Sequence, residues 1–349
     1  MAATTSPVFA WPALRRPNDD DSAMALTRQE FIAGAGAFAA WSAFPAARAS
    51  RPAPLDPNLM VFFSDIHQHD GKAHWPDWPF IQANTVFPKL VSEVLRLDPL
   101  PANAVVFGDF STSFGWEEDF RLAAAALKPL TDAGVELTLG MGNHDNRAAF
   151  MRVFPGYKSR CLVPGRIVSK VSTPYADLIM LDTLKAHSGK DWAEPTEEGN
   201  HVKGEIDATQ RAWLRETLSA STRPTFVGAH HRAQEVGIVP ELVAASTVYG
   251  YIFGHEHICA DGFLHDGYAN SRTVMTATLP SGGFWGDIGY ALFRTFADRA
   301  ELTFRQTGFW FNRQWPEKPR PKNWRERVKM HNGRKVTFWY DKPGNFHKG

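Results

Sequence analysis

Short apolar segments recur along the chain, and five of them end just before an aspartate, an asparagine or a histidine. Runs of about four to eight such residues are typical of strands buried inside a sheet. Small residues, mostly glycine, stand beside most of these ends and permit tight turns of the backbone. The segments are 59–63 before Asp65 and His67, 104–107 before Asp109, 135–139 before Asn143 and His144, 224–227 before His230, and 248–253 before His255 and His257.

Longer stretches with apolar residues at helical spacing lie between these segments, at 87–97, 120–130 and 210–218. The alternation of strands and helices predicts an α/β domain. In open α/β sheets, ligands bind beyond the carboxyl ends of the strands. We therefore expect the five polar strand ends to meet at one site. From about residue 273 onward the pattern changes to short β-like runs.

The composition excludes several classes of protein. The 349 residues are 44% hydrophobic, which suffices for a sizeable core, and the formal net charge of +1 creates no global attraction to nucleic acid or acidic membranes. Two cysteines, Cys161 and Cys259, are too few for a disulfide scaffold or a cysteine zinc site. We expect two buried free thiols, with a single disulfide left open for an exported protein.

Each polar strand end is a weak signal alone, because loop aspartates often form local turns and single histidines are common. Together, the strand ends offer more ligands than one tetrahedral zinc ion needs. Mixed oxygen and imidazole ligands suit two ions that share a carboxylate, and manganese, iron and zinc all remain open. Two such ions can clamp a phosphoryl group and lower the pKa of a water molecule between them. The candidate ligands are Asp65, His67, Asp109, Asn143, His230, His255 and His257.

The order of these motifs over about residues 59–258 resembles the calcineurin-like metallophosphoesterases. The matching blocks are Asp65-x-His67, Gly108-Asp109, Gly142-Asn143-His144-Asp145, His230 and Gly254-His255-x-His257. Three further segments are similar to the branch that contains cyclic-nucleotide and glycerophosphodiester phosphodiesterases. They are Gly142–Phe150, Leu181-Asp182-Thr183 and Gln210-x-x-Trp213-Leu214.

The resemblance implies a four-layer α/β/β/α sandwich with two mixed sheets and a binuclear metal site at the carboxyl ends of the strands. It assigns Asp65, His67 and His257 to one metal, and Asn143, His230 and His255 to the other. In the family pattern Asp109 bridges the two metals, and His231 stands outside the ligand set. A purple ferric centre is not expected, because Thr112 stands where purple acid phosphatases carry a tyrosine ligand.

The mechanism that follows is attack on phosphorus by a metal-bridging hydroxide. His144 is expected to protonate the leaving oxygen as a general acid, and Asp145 to orient the His144 imidazole. The favoured activity is hydrolysis of small phosphodiesters, and an exported phosphomonoesterase remains the alternative. A nuclease and a non-catalytic binding protein are less favoured; the complete ligand set argues against the latter. We expect no stable nucleic-acid partner, and the natural substrate and oligomeric state stay open.

Three regions are predicted: a targeting segment at 1–49, a metallophosphoesterase domain at 50–305, and a basic aromatic extension at 306–349. From Arg305 onward the chain has twelve lysines and arginines against three acidic residues, interleaved with tryptophans. Such a segment could contact anions or nucleic acid. The interpretation we favour is an extension whose aromatic side chains pack on the domain while its charges face water.

The targeting segment predicts export to the periplasm. Residues 31–44 form an apolar run too short to span a bilayer, followed by Ala47-Arg48-Ala49, which is similar to a signal-peptidase site. Residues 27–32 resemble the twin-arginine export pattern, with Gln29 in place of the second arginine. An amphipathic helix that stays attached is the alternative, and Met24 is an alternative start. No membrane-spanning segment is expected in the mature chain.

We predict that the mature protein begins near Ser50. Mass spectrometry of the exported protein should find a chain that lacks residues 31–44. An exported protein that retains this segment would contradict the signal-peptide interpretation.

Overall fold

A computed structural model describes residues 53–70, 83–112, 115–185, 203–265, 267, 272–283, 285–310 and 324–340. The predicted targeting segment at 1–49 lies outside these residues. So do parts of the predicted C-terminal extension, at 311–323 and 341–349.

Twelve strands are present in the described residues, in two six-stranded sheets. In chain order they are β1 Leu55–Phe63, β2 Leu100–Val106, β3 Glu136–Leu139, β4 Ser169–Ser172, β5 Asp177–Met180, β6 Thr225–Ala229, β7 Val248–Phe253, β8 Ala260–Leu264, β9 Val274–Thr278, β10 Gly286–Thr295, β11 Arg299–Trp310 and β12 Lys335–Trp339. The helices are α1 Ala83–Val94, α2 Glu117–Asp132, α3 Arg147–Val153, α4 Ala208–Ala220, α5 Val239–Ala244 and α6 Trp324–His331, with a 3₁₀ helix at Pro155–Arg160.

Both sheets are mixed, as the family resemblance implies. The first has the order β12-β11-β10-β1-β2-β3, with β1, β2 and β3 parallel and β10, β11 and β12 antiparallel to their neighbours. The second has the order β4-β5-β6-β7-β9-β8, with β5, β6, β7 and β9 parallel. The parallel strands of each sheet lie side by side, so their carboxyl ends share one edge.

Side chains alternate across β1 and divide the core into layers. Val61 and Phe63 pack against Phe87 of α1 and Phe120 of α2 on the outer face of the first sheet. Met60 and Phe62 point the other way, into the layer between the two sheets. A third cluster lies between the second sheet and the helices α4 and α5. These three apolar layers confirm the predicted four-layer α/β/β/α sandwich.

Aromatic rings fill the layer between the sheets and set how the strand ends face one another. Phe293 of β10 stacks on Phe62 of β1 at a centroid distance of 5.0 Å, and meets Phe226 of β6 edge to face at 4.8 Å. Such pairs add about 0.5–1.5 kcal/mol beyond the burial of their area. Because they join the first sheet to the second, the two sets of strand ends lie at a fixed separation.

The described part of the basic C-terminal segment is an integral edge of the first sheet. Strand β11 continues to Trp310, so the boundary predicted between residues 305 and 306 falls inside a strand. Strand β12 pairs with β11, with Val336 opposite Leu302, and the side chains of Val336 and Phe338 are buried. An alternating apolar pattern that meets an open sheet edge is sufficient to add a strand.

Both cysteines are free thiols, and no disulfide joins them. Cys259 is buried as expected, whereas Cys161 is only half-buried. Within the described ranges, no helix has both the length and the apolar character required to cross a membrane.

Candidate metal centre

The ends of β1 and β2 continue side by side beyond the strands themselves. The amide of Asp65 donates to the carbonyl oxygen of Gly108 at 3.0 Å, and the amide of His67 donates to that of Asp109 at 3.0 Å. The two loops therefore run in parallel past the edge of the sheet. This extended ladder brings three of the predicted ligands together from two separate motifs.

Five of the seven predicted ligands have a left-handed backbone conformation. Residues other than glycine rarely adopt it. Each such residue costs about 1–3 kcal/mol, which the surrounding structure has to offset. Unusual conformations of this kind concentrate at functional sites. The residues are Asp65 (φ 53°), His67 (φ 44°), Asp109 (φ 54°), His255 (φ 65°) and His257 (φ 53°).

A first group of ligand atoms is formed by Asp65, His67 and His257. The Nε2 atom of His257 lies 3.0 Å from Asp65 Oδ1 and 3.4 Å from the Nε2 atom of His67. The Nε2 atom of His67 is 4.0 Å from the same Asp65 oxygen. The side chains of Asp65 and His67 are buried and that of His257 is nearly so.

A second group surrounds His230 at the end of β6. Its Nε2 atom lies 3.1 Å from Asn143 Oδ1 and 3.2 Å from Asp109 Oδ2. The ring of His255 is 5.1 Å from that of His230, centroid to centroid, and the His255 amide donates to the Asp65 carboxylate. All seven predicted ligands thus meet in one place.

Asp109 lies between the two groups. Its Oδ2 atom is 3.2 Å from His230 Nε2 and 3.8 Å from His67 Nε2, so one oxygen faces imidazoles of both groups. Its Oδ1 atom accepts a hydrogen bond from the amide of His144 at 2.9 Å. This is the geometry expected for a carboxylate shared by two cations.

Three imidazoles are oriented by backbone carbonyl groups. In each ring Nδ1 faces a carbonyl oxygen, which can only accept, so Nδ1 carries the hydrogen and the Nε2 lone pair points into the site. The acceptors are Ser111 O for His67 at 3.0 Å, Trp285 O for His257 at 3.2 Å and Phe107 O for His230 at 3.0 Å.

The electrostatics match this crowding. Burial lowers the pKa of His67 to about 3 and that of His255 to about 4. Burial also opposes charge on Asp65 and His230, but attraction to groups of opposite charge outweighs it. Asp65 is attracted to His257 and His230, and His230 is attracted to Asp109 and Asp65. The pKa of His230 therefore rises to about 9, so a metal ion that binds its Nε2 atom has to displace a proton there, and the pKa of Asp65 falls below its ordinary value.

Inward-facing lone pairs, carboxylates and an amide oxygen within hydrogen-bond distance of one another need cations between them. Borderline divalent ions accept this combination of oxygen and imidazole donors. The residues present therefore fit two metal ions, whose identity is not determined.

Gly142 shows how tightly the loops are packed here. A Cβ atom on it would lie 2.1 Å from Asp109 Oδ1 and 2.5 Å from the Asp109 nitrogen. Any side chain would push the Asp109 carboxylate out of the site, so the glycine of the Gly-Asn-His-Asp motif is required by close approach.

Asp145 has a structural role that the sequence did not indicate. Its carboxylate accepts four backbone hydrogen bonds, so it fastens the loop after β3 to the loop after β2. The donors are the amides of Asp109 (2.8 Å), Phe110 (2.8 Å), Ser111 (3.2 Å) and Gly142 (2.8 Å).

His144 lies beside the ligands without belonging to either group. Its ring is 5.3 Å from that of His67, centroid to centroid, in an edge-to-face arrangement. Its backbone amide is fixed by Asp109. The side chain is half-buried, which leaves it accessible to a substrate.

His231 is closer to the site than the sequence indicates. One of its ring nitrogens lies within 4.8 Å of ligand atoms of His230 and His255. Its Nδ1 atom is 2.8 Å from the Thr183 hydroxyl, and its buried Nε2 atom has no hydrogen-bond partner in the described part of the chain. Burial lowers its pKa, so the ring is neutral. The sequence signal for this position was the pair of adjacent histidines, His230 and His231, directly after a strand.

Arg147 and Asp182 form a buried ion pair that the sequence did not reveal. The guanidinium contacts both carboxylate oxygens, Nε to Oδ2 at 2.6 Å and Nη2 to Oδ1 at 2.8 Å. Arg147 begins α3 and Asp182 follows β5, so the pair connects the Asn143 loop to the second sheet. Both residues occur in motifs that carry the family resemblance.

The comparisons with known proteins agree with this geometry. The family model of the calcineurin-like phosphoesterases matches residues 60–259. The chain belongs to the calcineurin-like phosphoesterase family. Membership and the complete donor set make it a metal-dependent hydrolase of phosphoric esters.

Solved structures are similar to the chain at low sequence identity. One is a dimetal phosphatase from Danio rerio, 13% identical with a TM-score of 0.54, covering 82% of this chain and 100% of that one. Another is PhoD, 14% identical with a TM-score of 0.49, covering 76% of this chain and 68% of that one. No curated protein matches the sequence.

We predict that Asp145→Ala destabilises this phosphoesterase, because four buried amide groups lose their acceptor. Denaturant unfolding should show a loss of at least about 2 kcal/mol. Asp132→Ala on the exposed end of α2 is the control and should change stability by no more than about 0.5 kcal/mol. An Asp145→Ala protein of unchanged stability but reduced activity would contradict this structural role and support the predicted role in orienting His144.

Proposed function

We propose that this phosphoesterase hydrolyses small phosphodiesters, with its two cations held by Asp65, His67 and His257 and by Asn143, His230 and His255. Asp109 is shared between them. When bound, the two ions would neutralise charge on the phosphoryl oxygens and lower the pKa of a water molecule, so that it loses a proton and can attack phosphorus. The protein fixes the ligands before substrate arrives, which is the condition for electrostatic stabilisation of the transition state.

The preference for diesters is supported by the charge at the rim of the site. Arg232 follows the His230-His231 pair, and Glu256 stands between the ligands His255 and His257. The Arg232 guanidinium lies 2.8 Å from the Glu256 carboxylate, so its charge is already compensated. A diester carries one negative charge and a monoester near neutral pH carries close to two. A rim whose cation is neutralised therefore favours the diester.

The motifs shared with the phosphodiesterase branch give a second line of support. Arg147 belongs to the Gly142–Phe150 segment and Asp182 to the Leu181-Asp182-Thr183 segment, and the two form the buried ion pair. Thr112, at the position of the tyrosine ligand in purple acid phosphatases, donates its hydroxyl to the His67 carbonyl oxygen at 2.7 Å. It therefore serves the backbone of the ligand loop.

His144 is the proposed general acid. Its amide is fixed to Asp109, and its half-buried ring lies 5.3 Å from that of the ligand His67, centroid to centroid, so the imidazole stands at the edge of the metal site. From there it can donate a proton to the departing oxygen as the bond to phosphorus breaks.

Export to the periplasm is proposed from the sequence of residues 27–49 alone. An apolar run of signal-peptide length followed by Ala47-Arg48-Ala49 supports it. The mass-spectrometric prediction given above tests it.

We expect manganese-loaded enzyme to have a higher kcat/KM for a nitrophenyl phosphodiester than for the matched monoester, and metal-depleted enzyme to be inactive. Glu256→Gln should raise kcat/KM for the monoester more than for the diester, because it frees the charge of Arg232. Glu216→Gln on the exposed face of α4 is the control. A monoester advantage of tenfold or more, about 1.4 kcal/mol of transition-state free energy, would establish the phosphomonoesterase alternative.

His144→Ala should retain both metal ions and lose activity on alkyl esters by about 10²–10⁴-fold. The loss on nitrophenyl esters should be distinctly smaller, because nitrophenolate departs without a proton and an alkoxide does not. Metal analysis and parallel kinetics on both esters measure this. Equal losses with both ions bound would exclude the acid role, and loss of an ion would make His144 a ligand.

A further inference from the structure

Asp287, at the start of β10, has a fully buried carboxylate outside the ligand set. Its Oδ1 atom accepts from Gln306 Nε2 at 2.9 Å and from Arg327 Nε at 2.7 Å. Its Oδ2 atom accepts from Arg327 Nη2 at 2.8 Å and from the amide of Cys259 at 2.8 Å. Arg327 belongs to α6, in the basic C-terminal segment. A buried carboxylate of this kind requires a cationic partner.

The same part of β10 contacts the ligand His257 directly. The Asp287 amide donates to the His257 carbonyl oxygen at 2.8 Å, and the Trp285 carbonyl accepts from His257 Nδ1 at 3.2 Å. A Cβ atom on Gly286, whose φ is +69°, would lie 2.3 Å from the His257 carbonyl oxygen. The backbone of 285–287 therefore sets both the position of His257 and its tautomer.

A second arginine of the C-terminal segment contacts the same loop. Arg334 Nη2 donates to the Cys259 carbonyl oxygen at 3.1 Å, and its Nη1 pairs with Asp261. The residue two positions after His257 thus has its N–H fixed by Asp287 and its carbonyl fixed by Arg334. Both hydrogen bonds depend on the segment 324–340, because Arg334 belongs to it and Asp287 is held by Arg327.

Cys259, Asp287 and His331 also bring three metal-ligating atoms within 4.8 Å of one another. A further cation site there is disfavoured, because the Arg327 guanidinium already occupies both Asp287 oxygens. A metal ion would have to displace the guanidinium from the buried Asp287 carboxylate. The cluster is better explained by the pairing of Arg327 with both oxygens of Asp287.

We propose that Arg327 is a positioning residue for the metal centre, acting through Asp287 on the loop His255–Cys259. The basic C-terminal segment supplies the counter-charge that holds the Asp287 carboxylate in place, and through it the His257 ligand. This inference rests on the two-cation part of the proposed function and not on the choice of ester. Residues behind metal ligands of this kind typically change metal affinity by about 10–100-fold.

The test is calorimetric titration of Mn²⁺ into metal-free Arg327→Met. We expect one of the two ions, the one held by Asp65, His67 and His257, to bind about 10–100-fold more weakly, with much less change for the other. Lys329→Met, an exposed lysine on the same helix, is the matched control and should bind both ions as the natural protein does. Adding Asp287→Asn to Arg327→Met removes the unpaired charge and should restore much of the affinity.

Unchanged affinity for both ions in a folded Arg327→Met protein would overturn the proposal. So would equal weakening of both ions with no recovery in the double variant, since that pattern marks general destabilisation. If Arg327→Met does not fold, Arg327→Lys retains the charge without the two-pronged contact and should show an intermediate, selective loss. The variants could show the expected changes in Mn²⁺ affinity while the natural protein hydrolyses no ester. That result would refute the proposed function and leave this inference standing.

Discussion

The structure depends on one constraint: buried oxygen and nitrogen acceptors must be held close together although they do not attract one another. Asp65, Asp109 and the imidazole Nε2 atoms point inward within about van der Waals distance. Without cations, such a cluster is stabilised only by protonation. The backbone therefore has to impose the geometry. It does so with left-handed conformations, a hydrogen-bond ladder that continues past β1 and β2, and the four amide bonds accepted by Asp145.

The positions of the ligands could be predicted because the signals are local. A short apolar run identifies a buried parallel strand, and the residue after it is carried to the common edge of the sheet whatever lies between the strands in sequence. Asp65, Asp109 and His230 were placed in this way. The order of the motifs along the chain carries the resemblance to the family, and the two mixed sheets were expected from that resemblance.

The partners that orient the ligands could not be predicted, because the sequence has no separate signal for them. Three histidines are oriented by carbonyl groups, and every residue has one. Asp145 contacts amides that lie more than thirty residues earlier in the chain, while its neighbour His144 lies elsewhere. The pairing of Arg327 with Asp287 is long-range as well. Composition identified the C-terminal segment as basic, but the five residues of β12 were too few to indicate a strand.

The first sheet is assembled from opposite ends of the chain: β1 lies between β2, its near neighbour in sequence, and β10, which is synthesised much later. On the ribosome, β1 has one open edge until β10 to β12 emerge. Non-local pairing of this kind slows folding and leaves unpaired strand edges exposed to aggregation. His257 and the segment that supports it are also made late. The metal centre of this phosphoesterase is therefore a product of the completed chain, and a nascent chain that stalls before β12 has an unfinished sheet around its first ligands.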